Sequence, residues 1–495
     1  MSEHNLKNLN SKQDVLACFL RCAEKWPNHD AILTRQETIS YQDFAQKVRR
    51  LAHEIVSLGK APRVLIALDQ GVDAYAAIFA TLYAGGYYAP LNTTAPQSRH
   101  RLVLDSFQPD IVIVSKTTSA LIDDGGHKTI VVEDINTTEL NEPQDAHELA
   151  YVIFTSGSTG VPKGVEIRRM SLAHYINWAV KYLKLGPEER VSQHPNIGFD
   201  LSVLDIYGAL CSGACLVPII GAKDRMFPAE VIRDLNITTW ISVPSMIDFM
   251  HRAGQLTTKH LSGLRQLFFC GEPLLKAHLE KLFGALPKVS VINAYGPTEA
   301  TVSCTAQSLS ATNYQEFCKE GSVSFGEVIP GMTIELHQDG ISGNEGEIIL
   351  AGPQVAKGYW KDPERTQDRF DESGPSFSTG DWARKENGKY YFVQRTDRQV
   401  KIQGNRLELG EIDVALRQCG ATASATVYVE QKLISYVEGD ASLDVDKLRL
   451  NLREFLSSYA IPCKIIWLDM LPRNSSDKID HGALSKRAKE KDVEV

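Results

Sequence analysis

The 495-residue sequence lacks the features that mark secreted, membrane-spanning or zinc-binding proteins. Its first residues, MSEHNLKNLN, are polar and have none of the charged-then-apolar pattern of a secretory signal. No stretch reaches the run of about 18 apolar residues that a transmembrane helix needs. The nine cysteines form no C-x-x-C pair and no cysteine–histidine group at zinc spacing. We therefore expect a cytoplasmic protein without a membrane span, whose thiols are free and mostly buried.

An excess of positive charge is also missing. The formal net charge is -8 at pH 7. A protein that binds nucleic acid or an anionic membrane normally carries a basic surface. The composition therefore predicts no nucleic-acid partner. The length predicts about three structural units, at roughly 150 residues each.

Short apolar runs alternate with amphipathic helical patterns between about residues 30 and 300. The clearest helical stripe covers residues 172–183. The runs that predict buried strands are VLIAL (64–68), IVIV (111–114), TIVV (129–132), YVIF (151–154), ACLVPII (214–220), TTWISV (238–243) and LFF (267–269). Strand–helix alternation predicts βαβ units, so we expect an α/β fold with two doubly wound, mainly parallel sheets.

The pattern changes after about residue 325. Residues 326–396 are rich in glycine and short strands, and they predict a small β-rich subdomain of the barrel kind. A compact α+β pattern follows from Asp397. Its predicted elements are helices near 411–418 and 444–458 and strands at 424–430, 432–437 and 463–468. We therefore predict a large N-terminal part over residues 1–396 and a small C-terminal part over residues 397–495.

A loop rich in glycine and hydroxyl groups follows the predicted strand 151–154. Glycine permits positive φ and close backbone approach, while hydroxyls and a lysine can bind phosphate oxygens. The residues are Thr155, Ser156, Gly157, Ser158, Thr159, Gly160 and Lys163. The loop is not a Walker A motif, because Pro162 precedes the lysine and Gly164 follows it. The segment predicts a site that wraps a polyphosphate.

This loop resembles the signature loop of the adenylate-forming superfamily, which comprises nonribosomal-peptide adenylation domains, acyl-CoA synthetases and luciferases. Further segments resemble motifs of the same superfamily in the same order, from residue 39 to residue 480. They are LYAGGYYAPLN (82–92), NAYGPTEAT (293–301), GEIILAGPQVAKGYW (346–360), STGD (378–381), RTDRQVKIQGNRLELGEI (395–412) and IPCKIIWLDMLPRNSSDKID (461–480). The resemblance implies an enzyme that joins a carboxylate to AMP, using ATP and Mg²⁺ and releasing pyrophosphate.

The resemblance also implies roles for individual residues. Tyr295 would stack on adenine, Asp381 would accept the ribose hydroxyls, and Arg395 would support the ribose from the hinge side. The expected ATP-binding set outside the phosphate loop is Gly271, Glu272, Asn293, Ala294, Tyr295, Gly296, Asp381, Phe392 and Arg395.

The expected catalytic residues are Thr298, Glu299 and Lys478. Thr298 would touch the α-phosphate, and Glu299 would hold Mg²⁺, which prefers oxygen ligands. Lys478 would bridge the substrate carboxylate and the phosphate-side oxygens. Asp397 would be the hinge about which residues 397–495 move as a lid between the two half-reactions.

The acid to be activated is indicated by the segment GFDLSVLDIYGAL (198–210). In amino-acid-activating members, the aspartate after phenylalanine pairs with the substrate ammonium, and Asp200 matches it. A buried ammonium needs such a counter-ion, whereas fatty and aryl acids do not. The other pocket positions would be Leu201, Leu204, Phe268, Cys270, Ala294, Val302 and Ser303. A small pocket without a second charge favours glycine or alanine.

FDLSVLDIY, LFFCGEPL and YGPTEATV are similar to the D-alanine–carrier protein ligases of teichoic acid modification and to a glycine–carrier ligase of lipid A modification. This similarity implies transfer to the phosphopantetheine thiol of a carrier protein, expected as a separate chain. The alternatives are a stand-alone ligase for proline or another small amino acid of a peptide natural product, an acyl-CoA ligase, and a non-catalytic amino-acid-binding relative.

Overall fold

A computed structural model describes residues 14–122, 126–157, 159–338, 341–371, 374–438, 445–474 and 479–492. The chain divides into two compact units. The first comprises Met1–Asn92, Phe107–Ile153 and Gly164–Thr396, and the second comprises Thr93–Ser106, Phe154–Lys163 and Asp397–Val495. Within the described ranges, no helix is both long and apolar enough to cross a membrane.

The first unit contains a nine-stranded sheet with a parallel centre and antiparallel edges. In spatial order its strands are Glu327–Val328, Thr305–Leu309, Ser290–Tyr295, Gln266–Phe269, Thr239–Ser242, Arg190–Gln193, Cys215–Pro218, Asp30–Leu33 and Thr38–Ser40. The six strands from Ser290–Tyr295 to Asp30–Leu33 are parallel. The carboxyl end of such a parallel sheet is where ligand-binding residues usually lie.

A seven-stranded sheet carries the rest of the βαβ pattern. Its strands, in spatial order, are Gly358–Tyr359, Lys163–Arg168, Leu149–Thr155, Tyr87–Pro90, Arg63–Ala67, Ile111–Val114 and Lys128–Val131. The last five of these run parallel. All seven strands predicted from apolar runs occur, each in one of the two large sheets. The predicted α/β class with two mainly parallel sheets is confirmed.

Helices connect and cover these strands. Those before residue 370 are Val15–Lys25, Tyr41–Leu58, Val72–Tyr83, Gln97–Phe107, Arg169–Tyr182, Leu201–Leu210, Gly221–Met226, Pro228–Asp234, Ser245–Arg252, Thr258–Leu261, Lys276–Ala285 and Pro363–Arg369. The predicted stripe at 172–183 lies on Arg169–Tyr182, with Leu172, Tyr175 and Ile176 buried. Every residue of Leu201–Leu210 is buried, including the polar residues Ser202 and Asp205.

Residues 326–396 contain all six strands of an antiparallel sheet. Its strands are Ile341–Ser342, Thr333–Gln338, Glu345–Ala351, Ser376–Glu386, Phe370–Asp371 and Lys389–Arg395. Burial alternates along Glu345–Ala351, which is typical of a sheet with one covered face. These strands form the strand-rich part that the sequence predicted, and both Phe370–Asp371 and Lys389–Arg395 pair with Ser376–Glu386.

The C-terminal residues of the second unit have the predicted α+β pattern. Their strands are Gln399–Ile402, Asn405–Glu408, Ala423–Val429, Lys432–Glu438 and Lys464–Trp467, and their helices are Leu409–Gln418, Val445–Leu452 and His481–Arg487. The helix predicted near 444–458 ends at Leu452. The buried positions Leu448, Leu452 and Leu456 continue the helical spacing through a turn, which explains why the prediction was too long.

Candidate functional site

The carboxylate of Asp200 and the hydroxyl of Thr298 meet inside the first unit. Asp200 immediately precedes the buried helix Leu201–Leu210. Thr298 begins a single helical turn, Thr298–Ala300, shortly after the strand Ser290–Tyr295. Its Oγ1 donates a hydrogen bond to Asp200 Oδ2 at 2.6 Å. The predicted binder of the substrate ammonium therefore lies beside the predicted contact of the α-phosphate.

Six of the predicted pocket residues are buried apolar side chains. Leu201, Leu204, Phe268, Cys270, Ala294 and Val302 all belong to one buried apolar cluster. Cys270 Sγ donates weakly to the carbonyl oxygen of Val302, with 3.6 Å between the atoms. Buried apolar walls beside a carboxylate form the setting in which a counter-ion is most effective.

Tyr175 adds a polar group to the same region. Ser303 Oγ donates to Tyr175 Oη at 3.2 Å, and both residues are fully buried. Burial raises the pKa of Tyr175 well above its ordinary value, and nearby Cys270 and Asp200 add to the rise. The hydroxyl therefore stays neutral and can still donate a hydrogen bond.

The loop after Thr298 has an unusual backbone. Thr301 and Val302 have φ of 54° and 71°, in the left-handed region that β-branched residues avoid. Such a conformation costs about 1–3 kcal/mol per residue and persists only where neighbouring groups hold it. Gly296 lies under this loop, since a Cβ there would approach Ser303 Cα to 2.5 Å. The predicted pocket positions Val302 and Ser303 thus lie on a strained loop that packs against a glycine.

Three predicted nucleotide-binding residues form a buried network. Tyr295 Oη donates to Asp381 Oδ2 at 2.7 Å, and the Arg395 guanidinium forms an ion pair with the same carboxylate. Arg395 also donates to the carbonyl of Thr379 at 3.3 Å. Burial raises the pKa of Tyr295 well above its ordinary value, and the Asp381 charge adds to the rise, so the phenol remains a donor. The carboxylate is therefore held in one orientation.

Glu299 is fully buried and accepts a hydrogen bond from Tyr359 Oη at 2.8 Å. A single carboxylate fits Mg²⁺, which usually takes one or two protein carboxylates and completes its shell with water and substrate phosphates. Among the residues the structure describes, no group of three or more His, Cys, Asp or Glu side chains could hold a metal by itself. The donor set thus suits a metal that arrives with nucleotide phosphates.

The remaining predicted nucleotide contacts in the first unit have other partners. Asn293 Nδ2 donates to the Ser324 carbonyl at 2.9 Å. Glu272 accepts from the Ser245 amide at 3.0 Å, and Gly271 precedes it with a φ of 97°. Phe392 is partly buried against the main apolar cluster. The structure therefore does not join Glu272 and Phe392 directly to the Tyr295–Asp381 network by a described hydrogen bond.

The predicted phosphate loop lies in the second unit. Gly157 has no room for a side chain, because a Cβ there would lie 2.0 Å from the Val161 carbonyl oxygen. Its own carbonyl accepts from the Gly160 amide at 3.0 Å, which closes a turn, and Gly160 has a φ of 82°. Thr155 Oγ1 donates to the Lys163 carbonyl at 3.5 Å. Ser158 falls outside the described residues, and Thr159 is exposed.

The same unit holds the loop by hydrogen bonding and packing. Ser156 Oγ donates to the Arg406 carbonyl at 2.8 Å. A Cβ at Gly160 would lie 3.2 Å from Val414, so the loop fits closely here. Asp397 Oδ1 accepts from the Gln399 amide at 3.1 Å. Lys478 lies outside the described residues, next to Ile479, which pairs with Arg473 in an antiparallel bridge.

Sequence reasoning missed three residues that the structure places at the site. The sequence indicated Tyr175 only as a member of an amphipathic helix. It indicated Tyr359 and Gln354 only as members of the motif segment GPQVAKGYW. Their partners, Ser303, Glu299 and the loop at 300–303, are distant in sequence. A tyrosine or glutamine inside a recognised motif is the one signal that could have indicated them.

The chain belongs to the AMP-binding enzyme family, whose model matches residues 19–360. The resemblance drawn from the sequence motifs is therefore confirmed.

Individual relatives cover nearly the whole chain. It is 32% identical to the L-proline–[L-prolyl-carrier protein] ligase of Pseudomonas fluorescens, over 94% of this chain and 97% of that one. It is 28% identical to the D-alanine–D-alanyl carrier protein ligase of Staphylococcus aureus, over 96% and 99%. The crystal structure of the Vibrio cholerae adenylation domain AlmE with glycyl-adenosine-5'-phosphate matches with a TM-score of 0.82 and 28% identity, over 96% and 98%.

Proposed function

We propose that this enzyme activates a small amino acid as its aminoacyl adenylate, releasing pyrophosphate, and transfers it to the phosphopantetheine thiol of a carrier protein. The observation that carries the proposal is the Asp200 carboxylate, which lies beside Thr298 at an apolar cluster. Relatives named as amino acid–carrier protein ligases, matched over 94% or more of this chain, support the same reaction.

The first half-reaction needs positioning and charge neutralisation more than covalent help. Asp200 would hold the substrate ammonium and so direct the carboxylate toward the nucleotide. Asp381, fixed by Tyr295 and Arg395, would accept the ribose hydroxyls. Glu299 would hold Mg²⁺, which neutralises phosphate charge when bound. From the motif resemblance, Lys478 would contact the substrate carboxylate and the phosphate-side oxygens, and the hydroxyls of the phosphate loop would bind the polyphosphate.

Two kinds of amino acid suit this pocket. The buried apolar residues predicted to line it support glycine or alanine, and the glycyl-adenylate complex of AlmE supports glycine. The similarity to the prolyl ligase is a specific observation in favour of proline as the second candidate. An apolar pocket separates such substrates by only about 1–3 kcal/mol per methylene. Glycine or alanine would indicate aminoacylation of a cell-envelope component, and proline a peptide natural product.

The proposal is tested by ATP–pyrophosphate exchange with purified protein and glycine, D-alanine, L-alanine, L-proline and a fatty acid. We expect exchange with one small amino acid, dependent on Mg²⁺, and none with the fatty acid. Loading of a phosphopantetheinylated carrier protein is then followed by intact mass. Exchange with the fatty acid alone would support an acyl-CoA ligase, and no exchange with any acid would support a binding protein. Either result would refute the proposed function.

Substitution of Asp381, whose carboxylate would bind the ribose, tests nucleotide binding separately from amino acid binding. Asp381→Ala should raise KM for ATP about 10- to 100-fold, since hydrogen bonds to a charged group are worth about 1.5–3 kcal/mol. Tyr295→Phe, which removes only the donor to Asp381, should have a smaller effect in the same direction. Initial-rate kinetics measure both constants. A rise in KM for the amino acid equal to that for ATP would contradict the assignment.

A further inference from the structure

Gln354 lies between the strands Glu345–Ala351 and Gly358–Tyr359 and is fully buried. Its side-chain Nε2 donates to the carbonyl oxygens of Ser303 at 2.7 Å and Ala300 at 3.2 Å. Its backbone oxygen accepts from Thr301 Oγ1 at 2.6 Å. One residue therefore binds the loop at 300–303 by three hydrogen bonds.

The orientation of this amide follows from its partners. Carbonyl oxygens can only accept, so the nitrogen of Gln354 must face Ala300 and Ser303. The side-chain oxygen then faces His174 Nδ1 at 3.1 Å and accepts a hydrogen bond from it. Both ends of the amide are thereby satisfied, and a flipped side chain would set an oxygen against two carbonyls.

The two carbonyls that Gln354 binds bracket the left-handed residues Thr301 and Val302. Strained backbone persists only where neighbouring groups hold it. The carbonyl oxygen of Val302 accepts a weak hydrogen bond from Cys270 Sγ. Ser303, the next residue, donates its hydroxyl to Tyr175. The conformation of this loop therefore sets one wall of the amino acid pocket.

We propose that Gln354 is a positioning residue that sets amino acid selectivity, because its amide holds Thr301 and Val302 in the conformation that shapes the pocket wall. This inference rests on the proposed function, which it deepens. Gln354 acts through the backbone of the loop, so its loss should change recognition of the amino acid more than recognition of the nucleotide.

The test replaces Gln354 by methionine, which has a similar shape and no donors. Gln354→Met should raise KM for the preferred amino acid about 10- to 30-fold, the size expected for two lost hydrogen bonds. Preference for that amino acid over the next best should fall about 10-fold, while KM for ATP changes less than about 3-fold. Pyrophosphate exchange measures all three quantities.

A matched control separates this role from general stability. Gln255 is also buried, its amide nitrogen donates to the Met226 carbonyl at 2.9 Å, and its side-chain oxygen accepts from the Ala229 amide at 3.3 Å. Gln255→Met should lower the melting temperature without altering selectivity. Gln354→Met with unchanged selectivity, or with KM for ATP rising in parallel, would overturn the proposal.

Two further measurements keep the proposal testable if Gln354→Met folds poorly or if no amino acid is activated. His174→Phe removes the group facing the other end of the amide and should shift selectivity in the same direction by a smaller factor; no shift would count against the proposal. Hydrogen–deuterium exchange of the peptide covering residues 298–304 needs no substrate. Faster hydrogen–deuterium exchange of this peptide in Gln354→Met supports the proposal, and an unchanged rate refutes it. Absence of pyrophosphate-exchange activity in the wild type refutes only the proposed function.

Discussion

Replacement of Asp200 by alanine is expected to lower kcat/KM for the amino acid about 1000-fold. The substrate ammonium would then enter a buried apolar pocket without its counter-ion, and an uncompensated buried charge costs about 3–5 kcal/mol. ATP binding should be nearly unchanged, because the Tyr295–Asp381–Arg395 network does not include Asp200. Pyrophosphate exchange gives the first quantity, and equilibrium binding of ATP gives the second.

The helix Leu201–Leu210 offers a matched control for this experiment. Asp205 is fully buried on it, and burial raises the pKa of Asp205 well above its ordinary value, which favours the neutral acid. Asp205→Asn should therefore leave activation of the amino acid largely intact, whereas Asp200→Asn should remove most of it. Equal losses in the two asparagine variants would show that the helix, and not the charge at position 200, is what activation requires.

Replacement of Lys478 by alanine should lower the rate of adenylate formation about 100- to 1000-fold. The family resemblance implies that this lysine stabilises the negative charge that develops as the carboxylate attacks the α-phosphate. Removal of one such stabilising group typically lowers the rate by about 100- to 1000-fold. The dissociation constant of ATP should stay within about threefold, since the adenine and ribose contacts are made by other residues. Single-turnover formation of the adenylate, read by acid quench, measures the rate.

The second half-reaction separates this role from damage to the fold. Lys478→Ala supplied with preformed aminoacyl adenylate should still load the carrier at close to the normal rate. Lys486, an exposed lysine of the helix His481–Arg487, provides a control whose substitution by alanine should change neither step. Normal adenylate formation in Lys478→Ala would contradict the assigned role, and loss of both half-reactions would indicate a structural effect.

Local sequence patterns predicted the strands well and their neighbours poorly. Runs such as IVIV at 111–114 are short, apolar and bounded by polar residues, so their ends are visible in the sequence. Their partners are not, since Asp30–Leu33 pairs with Cys215–Pro218 far along the chain. The overlong helix prediction near 444–458 has the same origin: a buried stripe continues through a turn, and periodicity alone cannot distinguish the two.

The sequence likewise indicated some residues of the candidate site and not others. Asp200 and Thr298 could be selected because each lies in a motif whose residue types suit one chemical task. Tyr359 and Gln354 could not, because their importance comes from hydrogen bonds to residues tens of positions away. The left-handed conformation of Val302 was equally hidden, since valine gives no local indication of it. What sequence patterns miss here is tertiary hydrogen bonding and the strain that it maintains.

Gly296 has a consequence for how new substrate preferences could be acquired. A methyl group there would approach Ser303 Cα to 2.5 Å, so any side chain at this position requires the backbone of the loop to move. Leu201 and Leu204, by contrast, contribute side chains from a regular helix, where a change of size leaves the main chain in place. A mutant library diversified at these leucines should yield variants with altered substrates, and one diversified at Gly296 should yield mostly inactive protein.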